Sequence, residues 1–160
     1  MTYRNNGAVG ALLDEYERAM RELIDVIHPL SPGTLQKVRD PHTSHADCRS
    51  IQTVLTHVVR AGLCYEIEIR RMRGEQLDYA NRHQLETAEA YSEALLGVIR
   101  SAEQLFADYP DLKLEEHDRD KKIKVAWGQV YDVEQMMEHA IVHILRHRRQ
   151  IERWLLADRD

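Results

Sequence analysis

The chain has 160 residues, of which 43% are hydrophobic and 31% charged, with a formal net charge of −5. That length predicts a single domain spanning 1–160 with a core of ordinary size, and the composition is that of a soluble globular protein. Acids and bases interleave almost everywhere, which argues against a nucleic-acid binder, and no apolar run reaches the roughly 18 residues that a membrane span needs.

The N-terminal stretch has no apolar core of signal-peptide type, so a cytoplasmic location is expected. Cys48 and Cys64 belong to no CxxC pair, which predicts two free thiols and no thiolate zinc site.

Four segments carry helical periodicity. The first runs from Val9 to Ile27, with Leu12, Leu13, Tyr16, Met20, Leu23 and Ile27 at spacings of three and four. Pro29, Pro32 and Gly33 stop it. A polar loop follows, in which Ser44 or Asp47 is the expected cap of the second helix. That helix presents Ile51, Val54, Leu55, Val58, Gly62, Tyr65, Ile69 and Met72 on one side, and Gly74 suits its C-terminal end.

The third helix is predicted over Gln84 to Ala107, with Leu85, Ala88, Tyr91, Leu95, Val98, Ala102 and Leu105 in a row and Pro110 beyond its end. The fourth starts after Asp132, its predicted N-cap, and runs to Leu156. Between them lies a long connection in which "KIKVAWGQV" alternates as a short strand or an isolated extended segment would. Long loops in compact domains are commonly functional, so this one is a candidate lid or rim. The pattern as a whole predicts an all-α four-helix bundle with a long loop before the last helix.

The last helix carries His139, His143 and His147 four residues apart. At about 100° per residue, with Ala140 at zero, Val133, Met136, Met137, Ile144, Ile151, Trp154 and Leu155 all fall within about 60°. His147 lies inside that buried stripe at about −20°, His143 on its edge at about −60°, and His139 on a mixed flank at about −100°. Buried imidazoles need partners for their ring nitrogens and are costly to charge. A metal ion resolves both demands, because neutral rings at i and i+4 can donate lone pairs to one centre. The bland alternative is one satisfied core histidine with surface ones beside it.

A metal site needs ligands from a second element. His57, at about −100° from Val58 on the second helix, is the candidate, flanking that helix's stripe beside Ala61 and Cys64. His28, His42, His45, His83 and His117 sit in loops or at helix ends and read as solvent-exposed. So does the basic run "RHRRQIER", as a solvated helix face.

"HAIVHILRHRRQI" resembles the last-helix signature of the DinB-like (YfiT-like) superfamily, and "TVLTHVVRAGLCYE" resembles its second-helix segment. The resemblance spans nearly the whole chain. It implies a four-helix bundle with a divalent metal held by one histidine of helix two and two of helix four, here His57, His143 and His147. Arg149 stands where the family often has Gly, and His139 is extra to the pattern, which leaves a pairing of His139 with His143 open. Zinc or nickel is the expected ion.

The resemblance also implies a metal-dependent transferase or hydrolase acting on a small electrophile, in some members with a low-molecular-weight thiol, and a homodimer. A non-catalytic metal-binding or interaction bundle is the alternative. No catalytic residue or thiol-binding residue stands out. Glu66, Glu68 and Glu138 read as solvated helix charges, Tyr65 as core, and Trp127 as a residue that could line a pocket. Motifs of the ferritin-like and HExxH kinds are absent from the sequence.

Overall fold

A computed structural model describes residues 3–158 and places five helices and one short hairpin in chain order. Helix α1 spans Gly7–Ile27, α2 Pro32–Gln36, α3 Ile51–Met72, α4 Ala88–Asp108 and α5 Val133–Ala157. Strands β1, Ile123–Lys124, and β2, Val130–Tyr131, pair antiparallel with Ile123 opposite Tyr131 and Lys124 opposite Val130. The expected all-α bundle is formed by α1, α3, α4 and α5. Helices α1 and α3 each pack against both α4 and α5, so α3 and α5 are neighbours.

The apolar stripes meet in one core. Met20, Leu23, Ile27, Ile51, Leu55, Ile69, Leu95, Leu105, Met136 and Ile144 are among its wholly or almost wholly buried members. Burying such side chains stabilises the fold by roughly 1.5–3 kcal/mol each, before chain entropy is subtracted.

The helix starts are set by caps. Asp132 caps α5 as expected: its carboxylate accepts from the Gln135 N–H at 2.9 Å, and Gln135 Oε1 accepts from the Asp132 N–H at 3.1 Å. The cap of α3 is neither Ser44 nor Asp47. Ser50 Oγ accepts from the Thr53 N–H at 3.1 Å while Thr53 Oγ1 accepts from the Ser50 N–H at 3.0 Å, a reciprocal pair that fixes the start at Ile51. Asp47 sits instead in a single 3-10 turn over Ala46–Cys48, where its carboxylate is engaged by Arg82.

Helix α4 begins four residues later than the periodicity predicts. Leu85 is held outside the helix, its N–H donating to Tyr91 Oη at 3.1 Å and its carbonyl accepting from Gln52 Nε2 at 2.9 Å, and Thr87 takes the cap. The same Tyr91 hydroxyl meets Thr56 Oγ1 at 2.6 Å, which ties the approach to α4 onto α3. The short α2 escapes the periodicity because it is a single turn, capped by Ser31 and seated by the buried Leu35. The alternating "KIKVAWGQV" forms the hairpin, closed around Gly128, whose φ of 89° suits glycine.

At Gly62, α3 packs tightly against side chains of α4 and α1. A Cβ there would lie 2.5 Å from Val98 Cγ1 and 3.0 Å from Tyr16 Oη. Alanine is normally the better helix former by about 1 kcal/mol. Overpacking costs about 1–3 kcal/mol, and it wins here. Gly62→Ala is therefore expected to lower the urea midpoint, where an unobstructed helical glycine would give a rise.

Candidate metal centre

His57 on α3 and His143 and His147 on α5 converge on the seam between the two helices. Each offers one ring nitrogen to a group whose members lie within 4.8 Å of one another. His57 Nε2 and His143 Nε2 are 2.9 Å apart, and the ring centroids stand 4.9 Å (His57–His143), 5.2 Å (His57–His147) and 4.5 Å (His143–His147) from each other. His143 and His147 are buried at 7% exposure each, whereas His57 keeps a partly open edge. The angles along α5 turn the first two inward, and the flanking position of His57 faces the seam.

The outer nitrogens have their own partners. His147 Nδ1–H donates to Gln150 Oε1 at 3.0 Å, one turn along α5. His57 Nδ1 faces Asp47 Oδ2 at 3.4 Å, and Asp47 is itself held by the Arg82 guanidinium. These contacts favour the proton on Nδ1 and leave the Nε2 lone pairs of His57 and His147 for the shared space, the arrangement by which surrounding groups orient metal-bound histidines. The sequence marks neither Asp47 nor Gln150 as a partner of these rings. Gln150 follows His147 at i+3, which is a local signal, but Asp47 comes from a loop and leaves none.

Electrostatics keep the three rings neutral. Burial lowers all three, and for His143 burial plus the neighbouring His147, His57 and His139 pushes the value down to about 2. His57 is lowered by burial and then by His147, with Asp47 acting in the opposite direction; His147 is lowered by burial against the upward pull of its Gln150 bond. Neutral imidazoles with converging lone pairs are the protonation state that a metal ion requires. The donor set therefore fits a divalent transition ion.

His139 is part of a different contact set. Its Nδ1 meets Tyr131 Oη at 3.1 Å, and its ring stacks on His143 at 6.2 Å and 19°. Tyr131 Oη in turn donates to Gln129 Oε1, which also accepts from Trp127 Nε1 at 2.9 Å. The hairpin is thus a rim: Trp127 stands edge-on to Tyr65 at 5.9 Å, and Tyr65 lies against both His139 and His143. Tyr65 is buried as expected, and burial keeps its hydroxyl protonated by raising its pKa. Trp127 remains 44% exposed.

Two of the three glutamates expected to be solvated charges are not. Glu68 is buried and accepts from the Tyr79 hydroxyl, and Glu66 pairs with Arg70 at 2.7 Å and accepts from Ser101. Both hydroxyl partners come from outside α3, Tyr79 from the irregular segment after it and Ser101 from α4, so the periodicity of α3 does not report them. Glu138 is exposed, as are His28, His42, His45, His83 and His117. The cysteines are free, Cys64 buried and Cys48 half-buried.

The lowered histidines contribute to the pH dependence of the metal-free protein, and they act at higher pH than the lowered carboxylates of Glu17, Asp132 and Asp158. An unfolded histidine titrates near 6.5, and the buried His143 does so only near 2, so between these values the unfolded chain binds more protons and stability falls on acidification. In chelator, the urea stability is expected to be flat above about pH 7 and to decline below it, by up to about 1.4 kcal/mol per pH unit for His143 alone. His143→Gln should flatten that slope; an unchanged slope would show that the ring titrates freely.

A model of the DinB family matches residues 1–156. No curated protein matches the chain at a significant level. With the family match covering nearly its whole length and three histidines grouped where a metal could be held, the chain belongs to the DinB family.

Proposed function

We propose that this protein holds a divalent transition metal, zinc or nickel, at His57, His143 and His147. On this reading it is a metal-dependent transferase or hydrolase acting on a small electrophile, with a low-molecular-weight thiol as co-substrate where a group is transferred. The observation that carries the reading is the convergence of three neutral imidazoles from two helices, two of them with their outer nitrogens tied back by Asp47 and Gln150.

A metal bound by three protein ligands keeps a position open and acidifies a water or thiol there. The chain's own residues supply the rest. Asp47 and Gln150 hold protons on His57 Nδ1 and His147 Nδ1, so the Nε2 atoms stay free to ligate. Arg60 and Arg82 act on His57, and Arg146 acts on His143 and His147; all three favour the neutral ring. Tyr65 and Trp127 wall one side of the seam with aromatic surface and limit water there. A homodimer and a cytoplasmic location belong to the same reading and rest on the family resemblance and the sequence. Among the described residues no helix is long and apolar enough to cross a membrane.

Elemental analysis of the purified protein tests this. The expected result is about one equivalent of transition metal, lost in His57→Ala and in His147→Ala. Gln150→Leu and Asp47→Ala are expected to retain the site with affinity weakened about 10–100-fold. Metal content equal to wild type in the His57 and His147 variants would overturn the assignment.

A further inference from the structure

The flank of α5 next to the triad carries Arg146, Arg149 and Arg153, one helical turn apart in succession. Together with Gln150 and Trp154 they line a single surface depression, with Asp40 at its edge. All three arginines are exposed, and none pairs with a carboxylate among the described residues. Their neighbour Arg148 does pair, with Glu22 and Glu152, and so do Arg18, Arg21, Arg70, Arg73 and Arg100 elsewhere. In a chain with 27 acidic residues against 22 Lys and Arg, three adjacent unpaired guanidinium groups are a departure from the prevailing pattern.

The row is costly to the helix. Like charges three and four residues apart repel by a few tenths of a kcal/mol per pair. Asp40 offsets them only in part, since its Oδ1 already accepts from the His42 N–H at 3.2 Å. Planar guanidinium groups in such a cluster match an oxyanion, which each can bind through two parallel N–H···O bonds.

The depression and the triad share one contact residue. Gln150 lines the depression and at the same time holds His147 Nδ1. Arg146 directly precedes His147 on α5, so the row of arginines begins next to a member of the triad.

We propose that Arg146, Arg149 and Arg153 form an oxyanion-recognition subsite that anchors a carboxylate or phosphate group of the substrate, with its reactive part directed to the triad. This rests on the reading of the triad as the reactive centre. It narrows the substrate class to small anionic electrophiles. Gln150 is the shared element: it orients a ligand on one side and borders the anion on the other.

Calorimetric titration of the zinc-loaded full chain with inorganic phosphate, and separately with succinate, tests the subsite, with zinc content measured on every sample. The expected result is saturable binding of at least one anion; which one binds more tightly tells phosphate from carboxylate recognition. The triple variant Arg146→Gln, Arg149→Gln, Arg153→Gln should lose at least about tenfold in affinity while keeping its zinc. A charge-matched variant at distant sites, Arg18→Gln, Arg100→Gln, Arg119→Gln, should bind as wild type does. Zinc-loaded wild type that binds neither anion, equal affinity in the triple variant, or equal loss in the charge-matched one would overturn the subsite. Failure of wild type to take up zinc would instead overturn the reading of the triad.

Discussion

Three imidazoles meet at one seam, two buried and one half-buried, and each has its charged form disfavoured there. That constraint organises the rest of the site. Burial disfavours the protonated form, each ring disfavours protonation of the others, and His143 in the middle feels both effects most strongly. Neutral rings expose lone pairs, and lone pairs facing each other across 2.9 Å need either an intervening proton or a shared cation. Asp47 and Gln150 bias the outcome by claiming the N–H of the two outer rings. Neutral rings with converging nitrogens are the state a shared cation would require, which is what the proposed metal would supply.

The scaffold serves this arrangement from a distance. Reciprocal caps fix the starts of α3 and α5, and with them the rotation that turns His57, His143 and His147 to a common space. The Tyr91 hydroxyl pins the approach to α4 onto α3, and the segment it anchors includes Arg82, which holds Asp47. The contacts on the outer ring nitrogens thus come from a 3-10 turn, steadied by a loop arginine, and from α5 itself. The hairpin acts on another residue. Through Tyr131, Gln129 and Trp127 it engages His139 and leaves the three-histidine group distinct from it.

How far the sequence can be read follows from these roles. The bundle and the inward turn of His143 and His147 are legible because a 3.6-residue period reports which face of a helix is buried. His57 is legible only as a flanking position, since periodicity cannot say which neighbour a flank will meet; the resemblance to the family supplies that link. Asp47 looks like a cap because a carboxylate before a helix has that local meaning, yet its true partners, Arg82 and His57, are distant in sequence. Glu66 and Glu68 mislead for the same reason: each has a hydroxyl partner, Ser101 and Tyr79, that lies outside their own helix. The late start of α4 reflects hydrogen bonds from Gln52 and Tyr91 that override an apolar position at Leu85.

Anomalous diffraction at the zinc edge, from crystals of the zinc-loaded protein, tests the central claim most directly. The account predicts one strong peak within bonding distance of His57, His143 and His147 together, with His139 still on Tyr131. A peak shared by His139 and His143 without His57, or no peak at the seam of α3 and α5, would contradict it.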